Sequence, residues 1–268
     1  MKVDVFDIKG KLSGQIELPE VFIKEIRPDI IRRAFLAIQS SLRQPYGSDP
    51  MAGLRTSVHY HGRRRIRYTM MMVAKARLPR IHGASPHMSW RVRRVPQSVK
   101  GRRAHPPQTM KDWVQKINRK ENILAFKSAF AATSSLDYVK KRGHIVDGIK
   151  LPIVVKDDVE SLKRTKDVKE LLINLGLKKE LERTKEKKIR PGKGKTRGRK
   201  YKRKTGPLIL VSEDKGISKA GKNISGVDVR SLETLNIKDL APGASPGRLT
   251  IYSQSVIKKL EGFGNGSV

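Results

Sequence analysis

Apolar residues recur along the chain in two rhythms, and each rhythm predicts a kind of element. Val3-Asp-Val-Phe6 and Gly14-Gln-Ile-Glu-Leu18 alternate apolar and polar positions around Gly10, which predicts a short N-terminal hairpin. Ile30, Ile31, Ala34, Phe35 and Ile38 share one helical face, so a helix is expected from Asp29, as its cap, to about Arg43. A second helix is expected over Glu121 to Ala132, burying Ile123, Leu124, Phe126 and Phe130. A third opens at Ser135 and ends near Gly143, and Val168 to Leu175 reads as a fourth, stopped by Gly176. Three continuous apolar runs have the length of strands: Leu151-Pro-Ile-Val-Val155, Leu208-Ile-Leu-Val211 and Leu249-Thr-Ile-Tyr252. Unbroken Ile/Val/Leu strands separated by helices predict an α/β fold, a mostly parallel sheet covered by helices on both faces.

Between residues 44 and 110 neither rhythm persists. Pro and Gly are scattered from Pro45 to Pro107, and five of the six histidines lie there. A structureless stretch this long inside a globular domain is either functional or disordered. The expectation is therefore a discontinuous globular domain, 1–43 with 111–268, carrying an extended insertion at 44–110. Six of the seven methionines fall between Met51 and Met110, with Met70-Met-Met72 consecutive. Soft, unbranched side chains of this kind fill irregular gaps, either in a partner's crevices or in a small cluster beneath the loop itself.

Charge sharpens this division. The 268 residues carry 59 Lys+Arg against 25 Asp+Glu, a net charge of +34. From residue 50 to 111 there is no acidic residue and there are 15 basic ones; a second acid-free run, 187 to 212, holds 11. The remaining 180 positions hold 33 basic and 25 acidic residues, a net of only +8. The positive charge thus belongs to two tracts, 44–110 and a basic loop at 187–206 within the globular domain, and its natural counter-ion is a polyanion. Like charges would keep the longer tract open in isolation, so a polyanion is also the agent expected to order it.

Arginine binds phosphate bidentately and lysine as a point charge, while glycine lets the backbone approach and turn. The first tract offers Arg55, Arg63, Arg64, Arg65, Arg67, Arg77, Arg80, Arg91, Arg93, Arg94, Lys100, Arg102 and Arg103; the second offers Lys193, Lys195, Arg197, Arg199, Lys200, Tyr201, Lys202 and Arg203. Mixed Arg/Gly/aromatic segments suit irregular RNA, where stacking on Tyr60, Tyr68, Trp90, Tyr201 or histidine supplements backbone contact. Duplex DNA is a weaker fit, because Pro and Gly interrupt both tracts and leave no recognition helix.

Other chemistry is poorly supported. With no cysteine there are no disulfides, thiol nucleophiles or thiolate metal sites. Gly194-Lys195-Thr196 copies the end of a phosphate-binding loop, but position 189, where its first glycine belongs, is Ile189. His59 and His61 lie two apart, and His82 and His87 five apart, with no carboxylate nearby to complete a metal site. Surface or RNA-stacking roles fit them better. No cofactor is implied. There is no 18-residue apolar run and no apolar leader after Met1, so a cytoplasmic protein is expected.

Several ordered motifs are more specific than any basic patch. Asp49-Pro-Met-Ala-Gly-Leu-Arg-Thr56, Arg93-Arg-Val-Pro-Gln97, Lys100-Gly-Arg102, Ala104-His-Pro-Pro107 and Phe130-Ala-Ala-Thr133 resemble the family of universal large-subunit ribosomal protein four, in its archaeal form. So do Arg190-Pro-Gly-Lys-Gly-Lys-Thr-Arg-Gly-Arg-Lys-Tyr201, Gly226-Val-Asp-Val229, Leu240-Ala-Pro-Gly243 and Pro246-Gly-Arg-Leu-Thr250. The resemblance implies a structural rRNA-binding protein of the large ribosomal subunit, with no catalytic activity. Its extension would thread the rRNA and help line the nascent-peptide exit tunnel beside ribosomal protein twenty-two, in contact with the nascent peptide. Ala76-Arg-Leu-Pro-Arg80 and Ile81-His-Gly83 would lie near the tip, making Arg77, Arg80, His82 and His87 the tip candidates. The chain departs from the family pattern at His61-Gly-Arg-Arg-Arg65, where an aromatic-Gly-x-Gly-Arg run is usual, and looks lengthened at Ile66 to Val73 and Ala84 to Trp90. The competing readings are an RNA-processing or RNA-modifying enzyme with basic tails, which needs a pocket of convergent catalytic groups, and a DNA-architectural protein.

Overall fold

A computed structural model of the chain describes residues 2–82 and 85–262. The described strands are β1 (Lys2–Phe6), β2 (Leu12–Glu17), β3 (Ile153–Val155), β4 (Lys187–Ile189), β5 (Tyr201–Arg203), β6 (Leu208–Val211), β7 (Asp228–Ser231) and β8 (Thr250–Ser253). The helices are α1 (Pro28–Ser41), α2 (Arg119–Ser134), α3 (Leu136–Lys141), α4 (Thr165–Asn174), α5 (Lys178–Lys185), α6 (Ile217–Lys222), α7 (Ile237–Leu240) and α8 (Gln254–Glu261).

Six strands form one sheet in the order β2-β1-β3-β8-β6-β7. All neighbours run parallel except β1 and β2, which close the N-terminal hairpin at the edge. Strand periodicity then divides the core into two layers. Val3, Val5, Val154, Leu208, Leu210 and Tyr252 face one side, where α1, α2, α7 and α8 cover them. Ile153, Val155, Ile209, Val211 and Ile251 face the other, under α3, α4, α5 and α6. The central strands β3, β6 and β8 are buried along their whole length, which is why their sequences are unbroken apolar runs. Each such Ile, Leu or Val contributes roughly 1.5–3 kcal/mol by leaving water. The α/β sheet expected from the sequence is the fold observed.

Two local expectations are corrected. Asp29 does not cap α1: the cap position is Arg27, Pro28 opens the helix, and the Asp29 carboxylate accepts a 2.8 Å hydrogen bond from the Arg27 guanidinium. In α2 the buried face is made by Ala125, Ala129, Ala131 and Ala132 beside Phe130, while Leu124 is 52% exposed and Phe126 and Ile123 are only partly covered. Small residues let α2 lie close to α1 and the sheet, so of the four large side chains expected inside, Phe130 alone is fully buried.

The chain divides into two compact units: residues 1–42 with 114–268, which hold the sheet, and residues 43–113. The second unit contains no named strand or helix among its described residues. Its order comes from three chain passes brought side by side by isolated antiparallel bridges, His59 to Arg80 and Arg80 to Val92. Backbone hydrogen bonds Arg80 N to His59 O (3.1 Å), Ile81 N to Arg91 O (3.0 Å) and Trp90 N to Ile81 O (2.9 Å) hold them. Between and after the passes the chain turns sharply, with Arg65, Tyr68, Met72, Ala74, Trp90, Arg94 and Lys100 at positive φ. Two glycines are required here by space. A Cβ on Gly101 would lie 2.0 Å from the Val95 carbonyl oxygen, and one on Gly53 (φ +75°) 2.6 Å from the backbone of Gly101 and Arg102.

Candidate nucleic-acid interface

Within the unit 43–113, the basic side chains separate into two kinds. Arg55, Arg63, Arg64, Arg65, Arg67, Arg77, Arg91, Arg94, Lys100, Arg102 and Arg103 are all exposed. Arg55 is held 2.7 Å from Asp49, the acidic residue just before the acid-free tract. Arg80 and Arg93 point inward. Arg80 donates to the carbonyls of Trp90 and Ala76, each at 2.9 Å, and so pins neighbouring passes together. Arg93 is buried and donates to the Val99 carbonyl at 2.5 Å. These two guanidiniums build the scaffold on which the others are displayed. Nothing in Arg91-Val-Arg-Arg94 distinguishes the inward arginine from its neighbours; only the hydrogen-bonding demand of a folded loop does.

Aromatic groups pack at the centre of this unit. His59, His61 and His82 lie with ring centroids 4.3–4.9 Å apart, and Tyr68 and Trp90 close around His82 at 4.7 and 6.4 Å. Burial, reinforced by the neighbouring His59 and His61, lowers the pKa of His82 below its ordinary value and keeps the ring neutral. Arg67 lies 4.9 Å over Tyr68 and Lys75 4.7 Å over Trp90. Of the tip candidates, Arg77 and His87 are exposed, Arg80 and His82 are partly covered, and Gly83 and Ala84 lie outside the described residues. The methionines also divide: Met70 is buried under the loop with Val58, while Met72 is 82% exposed and Met51, Met88 and Met110 face outward.

The second tract takes a form that the sequence did not indicate, an antiparallel hairpin of β4 and β5. Its register places Lys187 opposite Arg203 and Lys188 opposite Lys202, with Ile189 opposite Tyr201. Like charges facing each other across strands destabilise a hairpin, and three residues per strand give little to offset that. Arg190 helps hold the turn by donating from Nε to the Arg199 carbonyl at 3.0 Å. Lys193, Lys195, Arg197, Arg199, Lys200, Tyr201, Lys202 and Arg203 all remain exposed. Gly194-Lys195-Thr196 sits in this turn and opens no helix.

A buried polar network anchors the hairpin's root. Glu180, fully buried on α5, accepts from His144 Nδ1 at 2.6 Å, from the Ile145 N–H at 3.0 Å and from Arg183 at 2.6 and 2.8 Å. Burial pushes this carboxyl up, but the bonds from Arg183, His144 and Ile145 outweigh it and leave Glu180 below its usual range. Arg183 also donates to the Thr205 carbonyl at 2.6 Å, two residues past the end of β5. Nearby, Arg248 is buried and donates to the carbonyls of Gly206 and Asp239 and to the Asp228 carboxylate. Beside this root lies a cavity of about 440 Å³ lined by Arg142, Arg183, Lys188, Lys202, Arg203, Lys204 and Thr205, with no carboxylate among them. A concave wall of cations raises the local positive potential and attracts anionic groups such as phosphates. His144, Glu180 and Arg183 did not stand out as a group in the sequence: His144 is 36 and 39 residues from its partners, and Glu180 and Arg183 sit unmarked within the charge-dense segment 178–188.

No helix of the described residues is long and apolar enough to cross a membrane. Comparison with known proteins is consistent along the chain. The family model for the ribosomal protein L4/L1 family matches residues 16–263. Among curated relatives, the large ribosomal subunit protein uL4 of Nanoarchaeum equitans is 48% identical over 266 residues, covering 97% of each chain. That of Archaeoglobus fulgidus is 45% identical, covering 97% of this chain and 98% of its own. The Thermoplasma acidophilum protein is likewise 45% identical, covering 97% of both. With a family match across nearly its whole length and relatives this close, the chain belongs to the ribosomal protein L4/L1 family.

Proposed function

We propose that this chain is a structural constituent of the large ribosomal subunit that binds large-subunit rRNA through its two basic tracts. Its 43–113 unit would reach into the subunit, beside other large-subunit proteins including number twenty-two, to help form the tunnel through which the nascent peptide leaves. The role is architectural rather than catalytic, as befits the family. The observation that carries the rRNA reading is the hairpin register: cations face cations across β4 and β5, an arrangement that a polyanion relieves. Exposed arginines displayed from an internally bonded loop extend the same logic to the first tract. Binding would proceed by counterion release, with affinity falling steeply as salt rises.

The test is sedimentation. The protein should co-sediment with large ribosomal subunits and be stripped only by high salt, and the isolated chain should prefer structured rRNA to duplex DNA of equal length. Recovery only as free protein at low salt would overturn the assignment. Equal affinity for duplex DNA would favour a general nucleic-acid binder instead.

A further inference from the structure

The histidines that the sequence scattered over 24 residues are brought by the fold into one constellation. One ring nitrogen from each of His59, His61 and His82 lies within 4.8 Å of the others. The geometry points to a site for a borderline divalent cation, Zn²⁺ in type, held by these three imidazoles with a fourth position left for water.

Three independent features fit such an ion. His59 Nδ1 lies 3.2 Å from the Ser57 carbonyl and His61 Nδ1 3.1 Å from the Arg67 carbonyl. A carbonyl only accepts, so both rings carry their proton on Nδ1 and keep the Nε2 lone pair. That is the outer-shell arrangement that orients metal-binding imidazoles and raises their basicity. The third ring supplies the demand: His82 Nδ1 and Nε2 are both buried, and among the described residues neither makes a hydrogen bond of normal geometry, an under-met polar requirement of the kind folded proteins avoid. Finally, the set is imidazole alone, which suits Zn²⁺ and its late-transition-metal neighbours and excludes Mg²⁺ and Ca²⁺, which need oxygen ligands.

The distances leave a small adjustment. Tetrahedral Zn–N bonds of about 2.0–2.1 Å place ligand atoms about 3.3 Å apart, so the nitrogens must close by at most about 1.5 Å, within the reach of side-chain rotation. The surrounding positive charge opposes entry of a cation. Bound metal would tie the 59–61 pass to the 80–82 pass and close the segment between them, ordering a unit that has almost no regular secondary structure. The inference does not depend on the proposed rRNA role.

Isothermal titration of Zn²⁺ into chelator-stripped full-length protein, with millimolar Mg²⁺ present throughout, tests it. One Zn²⁺ per chain is expected, with Co²⁺ giving the visible bands of a four-coordinate site. His82→Gln and, separately, the double variant His59→Gln/His61→Gln should bind at least tenfold more weakly and lose the Co²⁺ bands. His87→Gln and His105→Gln, outside the constellation, should behave as the parent chain. Absence of stoichiometric binding, or parental affinity in both cluster variants, would overturn the site.

Discussion

His144 is buried with Nδ1 2.6 Å from Glu180 Oε1. Burial holds its pKa below the ordinary 6.5, against the opposing pull of Glu180. The sign of the linkage follows. In the unfolded chain this histidine takes up a proton near pH 6.5, whereas in the folded protein it does so only at lower pH. Its contribution is therefore complete above pH 6.5 and is lost as pH falls from there through the folded value. Glu180, also lowered, acts in the same direction, but in a window below its ordinary 4.5. The melting temperature of the sheet unit should fall between pH 7 and 5. His144→Asn, which keeps a donor toward Glu180 but cannot titrate, should flatten that slope; equal slopes in thermal melts of both proteins would exclude His144 as the source. Gly101 sets a second residue-scale limit. With its missing Cβ aimed 2.0 Å from a carbonyl oxygen, Gly101→Ala must displace the turn that carries Lys100 and Arg102. The overpacking cost of roughly 1–3 kcal/mol should appear as about 5- to 150-fold faster hydrogen exchange at the Arg102 N–H, which bonds to the Arg94 carbonyl. Unchanged protection would mean that the turn tolerates a side chain.

At the scale of elements, what the sequence revealed depended on burial. β6 and β8 were legible because strands covered on both faces must be apolar throughout, and α1 because one face meets the sheet. β4 and β5 were not, since all six of their residues are exposed and impose no alternation. The passes of the 43–113 unit escaped for a different reason: they are joined by isolated bridges between residues 12 or more apart and by ring contacts such as His59 to His82 and Tyr68 to His82, which no local period records. The same blindness left His59 and His61 unconnected to His82. For the hairpin, the register makes a quantitative expectation. If Lys188 and Lys202 each neutralise one phosphate, the double Lys188→Ala/Lys202→Ala variant should reduce the slope of log affinity against log salt by about 1.4–1.8 for rRNA. The free hairpin should meanwhile become less strained, because a facing pair of like charges is gone. Filter binding across a salt series measures the slope. An unchanged slope would separate the hairpin from the phosphate backbone.

For the whole molecule, the two units rest on different physics. Residues 1–42 and 114–268 bury a two-layered core around six strands and carry most of the chain's acidic residues. Residues 43–113 have little buried apolar surface beyond Val58 and Met70 and rely on turns, arginine–carbonyl bonds and ring packing. Stability should therefore reside in the first unit and binding energy be concentrated in the second. Replacing residues 44–110 by a short Gly/Ser linker should leave the cooperative melt of the sheet unit within a few degrees of the intact chain, because no strand or helix of its core is removed. The same deletion removes 14 of the 15 basic residues in the first acid-free tract, every one except Lys111. It should weaken association with rRNA and flatten its salt dependence far more than any hairpin variant. Calorimetry and salt-series binding on one protein read the two outcomes separately. Loss of the cooperative transition would show that the extension helps to fold the sheet, and retained affinity would move the binding surface onto the sheet unit.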